Sequence, residues 1–171
     1  MQIEFNLTEE DYLSFNLQHV KHSKTATRSL RLQQILVPVI YIFLAYIFSV
    51  IVNTPFLFFL IPFLLISMVW IIFYPKFFYS SVMRNVKKML REGKAGGIIG
   101  KYTMTLSDEG IIQTSSTEEK KASWPAILSL QEDEERFYLY NSAMSAYIIP
   151  KRALKNSNET REWIQGRLNN R

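Results

Sequence analysis

Hydrophobic and polar positions are distributed very unevenly along the chain. Residues 32–75 contain no Asp, Glu, Lys, Arg or His, and apolar side chains there would cover every face of a helix. A helix needs about 20 apolar residues to cross a bilayer, so this segment is long enough for two. The polar turn Asn-Thr-Pro at residues 53–55 divides it. The pattern predicts a transmembrane hairpin over 32–75, with antiparallel helices at about 32–52 and 56–74.

The alternative is a pair of buried helices in a soluble protein. The rest of the chain is too small to cover two long helices that are apolar all round, which favours the membrane. Pro38 and Pro62 are expected within a few residues of the helix starts, where a missing N–H costs little. Four polar side chains of the spans are expected to hold the two helices together: Tyr41, Tyr46, Ser49 and Ser67.

Basic residues flank the apolar segment on both sides. Four precede it without an acid among them: Lys21, Lys24, Arg28 and Arg31. Six follow it, opposed only by Glu92: Lys76, Arg84, Lys87, Lys88, Arg91 and Lys94. Because Lys and Arg are enriched in cytoplasmic flanks, the sequence predicts a multi-pass protein of the cytoplasmic membrane with both termini in the cytoplasm. The six residues after the hairpin are candidate contacts to anionic lipid.

The segment before the hairpin, residues 1–31, is predicted to be a cytoplasmic strand and an amphipathic helix. Ile3, Phe5 and Leu7 alternate with polar residues, as in a strand. Thr8 followed by Asp11 resembles a capping box, which predicts a helix from about Glu9. This N-terminal stretch is acidic and lacks an apolar core, so it is not expected to be a signal peptide.

Residues 76–97 are predicted to form a basic juxtamembrane helix and a glycine hinge. The hinge lies in "GKAGGIIG", with four glycines in eight positions. This stretch fails as a phosphate-binding loop, because Ala95 stands where the first glycine belongs and Tyr102 where Ser or Thr must hold magnesium.

Residues 98–171 are predicted to form a β-domain with a C-terminal helix. Short alternating runs separated by turn residues, together with the N-terminal strand, predict about seven strands. Asn156 or Ser157 can cap the final helix. Between the last strand and this helix, Pro150 ends the ladder and Lys151 and Arg152 follow. These two basic residues are either a solvated bend or a binding edge for phosphate or an acidic partner.

Several segments together resemble the YcxB-like family of small bacterial membrane proteins: "LTEEDYLSFNLQH", the two-span hairpin, "YTMTLSDEGI", "SWPAI" and "AYIIPKRAL". Related domains are similar to pleckstrin-homology (PH) folds. The resemblance implies an α+β chain, in which a two-helix transmembrane hairpin is inserted near the start of a PH-like antiparallel β-domain closed by a C-terminal helix. It implies no activity. It marks seven residues as determinants of the fold: Asp108, Glu109, Gly110, Trp124, Pro150, Lys151 and Arg152.

Two of these residues have specific expected roles. Gly110 is expected to supply a positive φ in a turn. Trp124 is expected to pack under the C-terminal helix.

No pattern for catalysis, a metal or a cofactor is present, so none is expected. The chain has no cysteine, which excludes thiolate chemistry and Cys-based metal sites. His19 and His22 lie beside lysines and lack an HExxH pattern. The acids at 132–135 are consecutive, which is typical of a solvated loop tip. Nucleic acid is not an expected partner, since the charge beyond residue 107 is nearly balanced.

Three functional hypotheses follow. The first is a membrane-anchored cytoplasmic binding or adaptor module that recognises a protein partner or forms its own oligomer. The second is a sensor of anionic lipid or of membrane stress. The third is a membrane enzyme acting on a lipid or a peptide, but no acid–base or metal constellation supports it, so the chain is not expected to be an enzyme.

Overall fold

The computed structural model describes residues 1–92 and 98–169. The chain forms two compact units, one of Met1–Asn16 with Val86–Arg171 and one of Leu17–Asn85. The helices are α1 Glu9–His22, α2 Lys24–Val52, α3 Phe56–Arg91 and α4 Ser157–Asn169. The strands are β1 Gln2–Leu7, β2 Gly100–Leu106, β3 Gly110–Ser115, β4 Glu119–Ser123, β5 Ser129–Glu132, β6 Arg136–Tyr140 and β7 Ala146–Pro150. The predicted α+β class is confirmed.

The strands of the described residues form two antiparallel sheets. One has the order β1-β2-β3-β4 and the other the order β5-β6-β7. β1 pairs directly with β2, from Gln2 opposite Thr105 to Leu7 opposite Gly100. The long segment that carries both apolar helices lies between these paired strands in the sequence. The hairpin is therefore inserted near the start of the β-domain, as predicted.

The core of the β-domain is formed by alternate buried side chains of β1 and β2 and by all the side chains of β6. Ile3, Phe5 and Leu7 are buried, whereas the residues between them are exposed. All five residues of β6 are buried. Buried side chains of α1 and α4, Phe15 and Ile164, belong to the same hydrophobic cluster. The two sheets and these helices thus share one core.

Gly110 and Trp124 have the predicted roles. Gly110 has a φ of +156° at the turn from β2 to β3, and a Cβ there would lie 2.2 Å from the carbonyl oxygen of Ala122. The Trp124 ring packs edge-on against Trp163 of α4, with the ring centroids 5.6 Å apart. Its Nε1 donates to the carbonyl of Ser107 over 2.9 Å. Trp124 therefore connects the helix to the turn that Gly110 makes possible.

The second unit is built from the two apolar helices. Asn53, in the left-handed region with a φ of 53°, ends α2 before the turn. Small residues are buried on each helix, Ala45 on α2 and Ser67 on α3. Small side chains let two helices approach closely. Tyr41 also stacks on Phe63 across the pair, with centroids 5.6 Å apart.

Both helices continue beyond the apolar segment, and the early start of α2 corrects the expected position of Pro38, whereas Pro62 lies near the start of α3 as expected. Because α2 begins at Lys24, Pro38 lies near the middle of that helix and not near its start. Pro62 lies in the second turn of α3, and Pro75 lies in its interior. Polar helical turns over residues 24–31 precede the apolar part of α2, and a basic stretch follows Pro75 in α3. Length and apolarity alone predict the part inside a bilayer, and not the full helix.

The polar contacts between α2 and α3 come from residues that the sequence reasoning missed. The hydroxyls of Ser49 and Ser67 donate to carbonyls of the turn and of their own helix. Glutamines of α2 reach α3 instead. Gln33 accepts from the hydroxyl of Tyr74, and Gln34 Nε2 donates to the Ile71 carbonyl over 3.0 Å.

The Ile71 carbonyl needs this donor because of Pro75. A carbonyl in a helix normally accepts from the N–H four residues later, and Pro75 has no N–H. The Gln34 amide supplies the missing hydrogen bond. Since unpaired backbone groups are costly in lipid, this contact suits a helix pair that crosses a bilayer.

Candidate functional site

The corner after β7 is a short 3-10 turn, Lys151–Ala153, that leads to α4. Asn156 caps α4, since its side-chain oxygen accepts from the backbone N–H groups of Asn158 and Glu159. Of the two predicted caps, Asn156 and Ser157, the structure therefore shows Asn156. Both basic residues of the corner have partners within the same unit.

Arg152 and Arg136 converge on the fully buried carboxylate of Asp11. Arg152 donates to both oxygens of Asp11, over 2.8 and 2.5 Å. Arg136 Nε donates to Oδ1 over 2.7 Å. Asp11 also completes the predicted capping box, because it accepts from the Thr8 N–H over 2.8 Å and donates its own N–H to the Thr8 hydroxyl. One carboxylate thus joins the start of α1 to β6 and to the corner.

The charge of Asp11 is stabilised by these contacts. Burial by itself would raise the pKa of this carboxyl. The hydrogen bonds from Arg152, the Thr8 N–H and Arg136 outweigh burial and hold the pKa of the carboxyl well below its usual range. The hydrogen bond to Asp11 in turn raises the pKa of Arg152. The cluster is therefore ionic at neutral pH.

Lys151 belongs to a second ion-pair cluster around Glu132. Its ammonium lies 2.9 Å from the Glu132 carboxylate and donates to the Asp133 carbonyl over 2.6 Å. Arg161 of α4 pairs with the same carboxylate over 2.6 Å. Burial opposes ionisation here too, but the hydrogen bonds from Lys151 and Arg161 lower the pKa of Glu132. These contacts fasten α4 and the corner to β5.

The acids at 132–135 are accordingly not simply a solvated tip. Asp133 accepts from the Tyr138 hydroxyl over 2.6 Å and from the backbone N–H groups that close the β5–β6 turn. The sequence reasoning missed both ion-pair clusters, that of Asp11 with Arg136 and that of Glu132 with Arg161. Only the cap of α1 had a local signal, since the other partners lie far apart in the sequence. Lys151 and Arg152, as a candidate binding edge, therefore carry charges already matched by carboxylates.

The β-domain has a groove between β1 and the start of α4. A cavity of about 490 Å³ lies there. Its lining includes Ile3, Leu154 and Trp163, which are apolar, and Glu4, Lys155 and Glu159, which are charged. β1 is an edge strand, since it pairs with β2 only in its sheet. An edge strand beside a mixed apolar and charged cavity can accept an extended peptide.

The basic residues after the apolar segment lie along one side of α3, where they form a stripe. At 3.6 residues per turn, the side chains of Lys76, Arg84, Lys87, Lys88 and Arg91 fall within an arc of about 120°. All five are exposed. Lys94, the sixth candidate lipid contact, lies outside the described residues, as does most of the predicted glycine hinge.

Three of these cations have close neighbours. Lys87 lies 3.5 Å from Glu9, and Lys88 lies 3.8 Å from Glu92. Arg84 lies over the Phe77 ring, 5.8 Å from its centroid. Exposed pairs of this kind contribute little stability.

The remaining candidates for chemistry are the two histidines. His22 Nδ1 lies 2.9 Å from the carbonyl of Gln18, one turn earlier in its helix. Across residues 1–92 and 98–169, no three His, Cys, Asp or Glu side chains are grouped so that they could hold a metal ion.

Part of the β-domain is similar to a known protein family. The family model described as YcxB-like protein matches residues 106–165. The match runs from the end of β2 into α4 and contains the Gly110 turn, Trp124 and both ion-paired residues of the corner. No curated protein and no solved structure matches the chain.

α2 and α3 are long and apolar enough to cross a membrane. In an apolar window of 18 residues within each helix, only 6% of the window is buried. A core helix of a soluble protein would be mostly buried. The composition and exposure of both helices support a membrane hairpin.

Proposed function

We propose that this chain is a membrane-anchored cytoplasmic binding module, an adaptor without enzymatic activity. The observation that carries the proposal is the groove between β1 and α4, in a chain that also has two apolar helices of membrane-spanning length. The hairpin would hold the module in a bacterial cytoplasmic membrane, with both termini in the cytoplasm.

The architecture of the β-domain supports a binding role. A four-stranded and a three-stranded antiparallel sheet followed by one helix is the layout expected of a PH-like domain. Because fold alone does not fix function, the groove has to supply the specific support. Its edge strand offers backbone groups, and its apolar and charged side chains offer selectivity. The partner we propose is an extended segment of another protein or of a second copy of this chain. Nucleic acid is not a proposed partner.

Site-specific photo-cross-linking in native membranes tests this proposal. A photoreactive residue in place of Lys155, which lines the groove, is expected to give one defined cross-linked protein band. The control is the same photoreactive residue in place of Thr117, in the turn between β3 and β4, where no band of that size is expected. Equal bands from both positions, or no band from the groove position, would contradict the proposal.

A second function, the sensing of anionic lipid, is favoured by a different observation, the charge of the hairpin unit. Residues 17–85 contain six Lys and Arg and no Asp or Glu.

A further inference from the structure

The cations of the hairpin unit are gathered at one end of the helix pair. The contacts of Gln34 with Ile71 and of Phe48 with Phe59 fix how the antiparallel helices align. This alignment places Arg31 of α2 at about the same level as Lys76 of α3. All six cations lie at the end of the pair opposite the turn: Lys21, Lys24, Arg28, Arg31, Lys76 and Arg84.

On α2 four residues share one face and line a small cavity. Lys24, Thr27, Arg28 and Arg31 have the spacing i, i+3, i+4 and i+7, which places them on adjacent turns of one helix side. Together with His22 they line a cavity of about 320 Å³. Lys24, Arg28 and Arg31 are exposed, and their unit contains no carboxylate that could neutralise them.

An apolar cavity adjoins this basic one. It has a volume of about 360 Å³ and shares Arg31 as a lining residue. The other lining residues come from both helices and, apart from one glutamine, are apolar: Gln34, Ile35, Pro38, Val39, Ile42 and Ile71. A basic group of side chains is therefore followed along α2 by an apolar cavity.

We propose that these two cavities form one binding site for an anionic phospholipid. The two arginines and Lys24 would hold the phosphate, because guanidinium groups bind phosphate oxygens through paired N–H donors. One acyl chain would lie in the adjoining apolar cavity. The inference rests on the hairpin lying in a membrane, as proposed above, and does not depend on the groove of the β-domain.

The apolar cavity distinguishes this site from a general attraction of basic residues to a membrane surface. The stripe on α3 offers charge alone, whereas the site on α2 offers charge and a place for an acyl chain. Inorganic phosphate would satisfy only the basic half. A lipid that satisfies both halves should be retained when the protein leaves the membrane.

Native mass spectrometry of the full chain, purified in a neutral detergent from membranes mixed equally from phosphatidylglycerol and phosphatidylcholine, tests the site. The wild type is expected to retain one phosphatidylglycerol per chain, at about a tenfold preference over phosphatidylcholine. R28Q/R31Q should lose this preference. K120Q/K121Q, which removes the same charge from β4, should keep it. Equal retention of both lipids by the wild type, or an unchanged preference in R28Q/R31Q, would overturn the proposal.

Two further arms separate the sources of binding. V39W keeps every charge but fills the apolar cavity, so it should also lose the retained lipid; full retention in V39W would contradict an acyl-chain site. Added inorganic phosphate should not displace the lipid, and displacement at millimolar concentration would reduce the site to a phosphate site.

An alkaline wash of membranes checks anchoring independently. Release of the wild type by that wash would refute the membrane proposal itself.

Discussion

Gly110 occupies a backbone position that side chains rarely adopt. Its φ is +156°, and the Ala122 carbonyl oxygen lies 2.2 Å from the place that a Cβ would take, so both oppose any larger residue. We predict that Gly110→Ala lowers the free energy of unfolding by about 1–3 kcal/mol. Denaturation of the full chain in detergent micelles, followed by tryptophan fluorescence, measures this change.

Gly166 provides the matched control for this substitution. It lies in α4, and a Cβ there would have no heavy atom within 4 Å. Because glycine is a poor helix former, Gly166→Ala should raise the free energy of unfolding by about 0.5–1 kcal/mol. If both substitutions destabilised the chain equally, the conformational role assigned to Gly110 would be wrong.

Asp11 is the centre of the buried charge cluster. Asp11→Asn keeps the size of the side chain but leaves Arg136 and Arg152 without their shared carboxylate. We predict a loss of about 3 kcal/mol in the free energy of unfolding, because the buried Arg136 would lose its only fully buried counter-charge among the described residues and keep its pairs with the partly exposed Asp133 and Glu135, at 3.7 and 2.9 Å. Asp108→Asn breaks an exposed pair with Arg167 and should cost less than about 0.5 kcal/mol. Similar losses in the two variants would refute the special role of Asp11.

The same carboxylate predicts how stability depends on pH. The pKa of Asp11 is lower in the folded chain than the usual value of 3.8 for this group. Its ionised form therefore stabilises folding above the unfolded pKa, and this contribution is lost as pH falls through the acidic range toward the folded pKa. Thermal midpoints measured from pH 7 to pH 3 should fall more steeply for the wild type than for Asp11→Asn. Parallel curves would contradict this assignment.

At the scale of residues, local features could be predicted and distant partners could not. The capping box of Thr8 and Asp11 and the turn at Gly110 depend on neighbours within a few positions. The pairing of Asp11 with Arg136 and Arg152 depends on where three distant segments meet in the fold. Periodicity and composition carry no information about contacts between distant segments. The sequence therefore predicted Arg152 to lie in a solvated bend or at a binding edge.

At the scale of elements, α2 and α3 are joined where Pro75 interrupts the hydrogen bonds of α3. Gln34→Leu should destabilise the hairpin by about 0.6–1.7 kcal/mol, since the Ile71 carbonyl would lose its donor. In a Pro75→Ala background the same substitution should cost much less, because the alanine would restore the backbone N–H. A double-mutant cycle, measured by unfolding in mixed micelles, gives this coupling. Additive effects would show that Gln34 does not serve the gap left by proline.

The extent of each helix shows a second limit of the sequence reasoning. Hydropathy located the apolar parts of α2 and α3, and the turn between them, because lipid imposes a minimum apolar length. α3 continues to Arg91, across the segment for which a basic juxtamembrane helix was predicted, whereas the start of α2 at Lys24 was not predicted, because no such constraint acts on its polar end. The seven strands were predictable from alternation and turn residues, whereas the groove beside β1 required knowing which elements become neighbours.

At the scale of the whole molecule, the decisive question is on which side of a membrane each part lies. The absence of native cysteine makes single-cysteine labelling direct. Asn53→Cys, in the turn between the helices, should react with an impermeant maleimide in intact cells. Ser115→Cys, at the end of β3, should react only after the cells are opened, because the basic flanks are predicted to keep the β-domain in the cytoplasm.

The basic flanks also predict how this orientation can be changed. Neutralising the four cations before the apolar part of α2 should leave the orientation intact while the stripe on α3 remains, since the remaining cations still favour the cytoplasmic side. Neutralising both groups should produce a mixed population, with partial labelling of Ser115→Cys in intact cells. Labelling of Ser115→Cys in intact cells carrying the unaltered flanks would place the β-domain outside. It would remove the cytoplasmic partner from the proposed function while leaving the lipid site on α2 open to its own test.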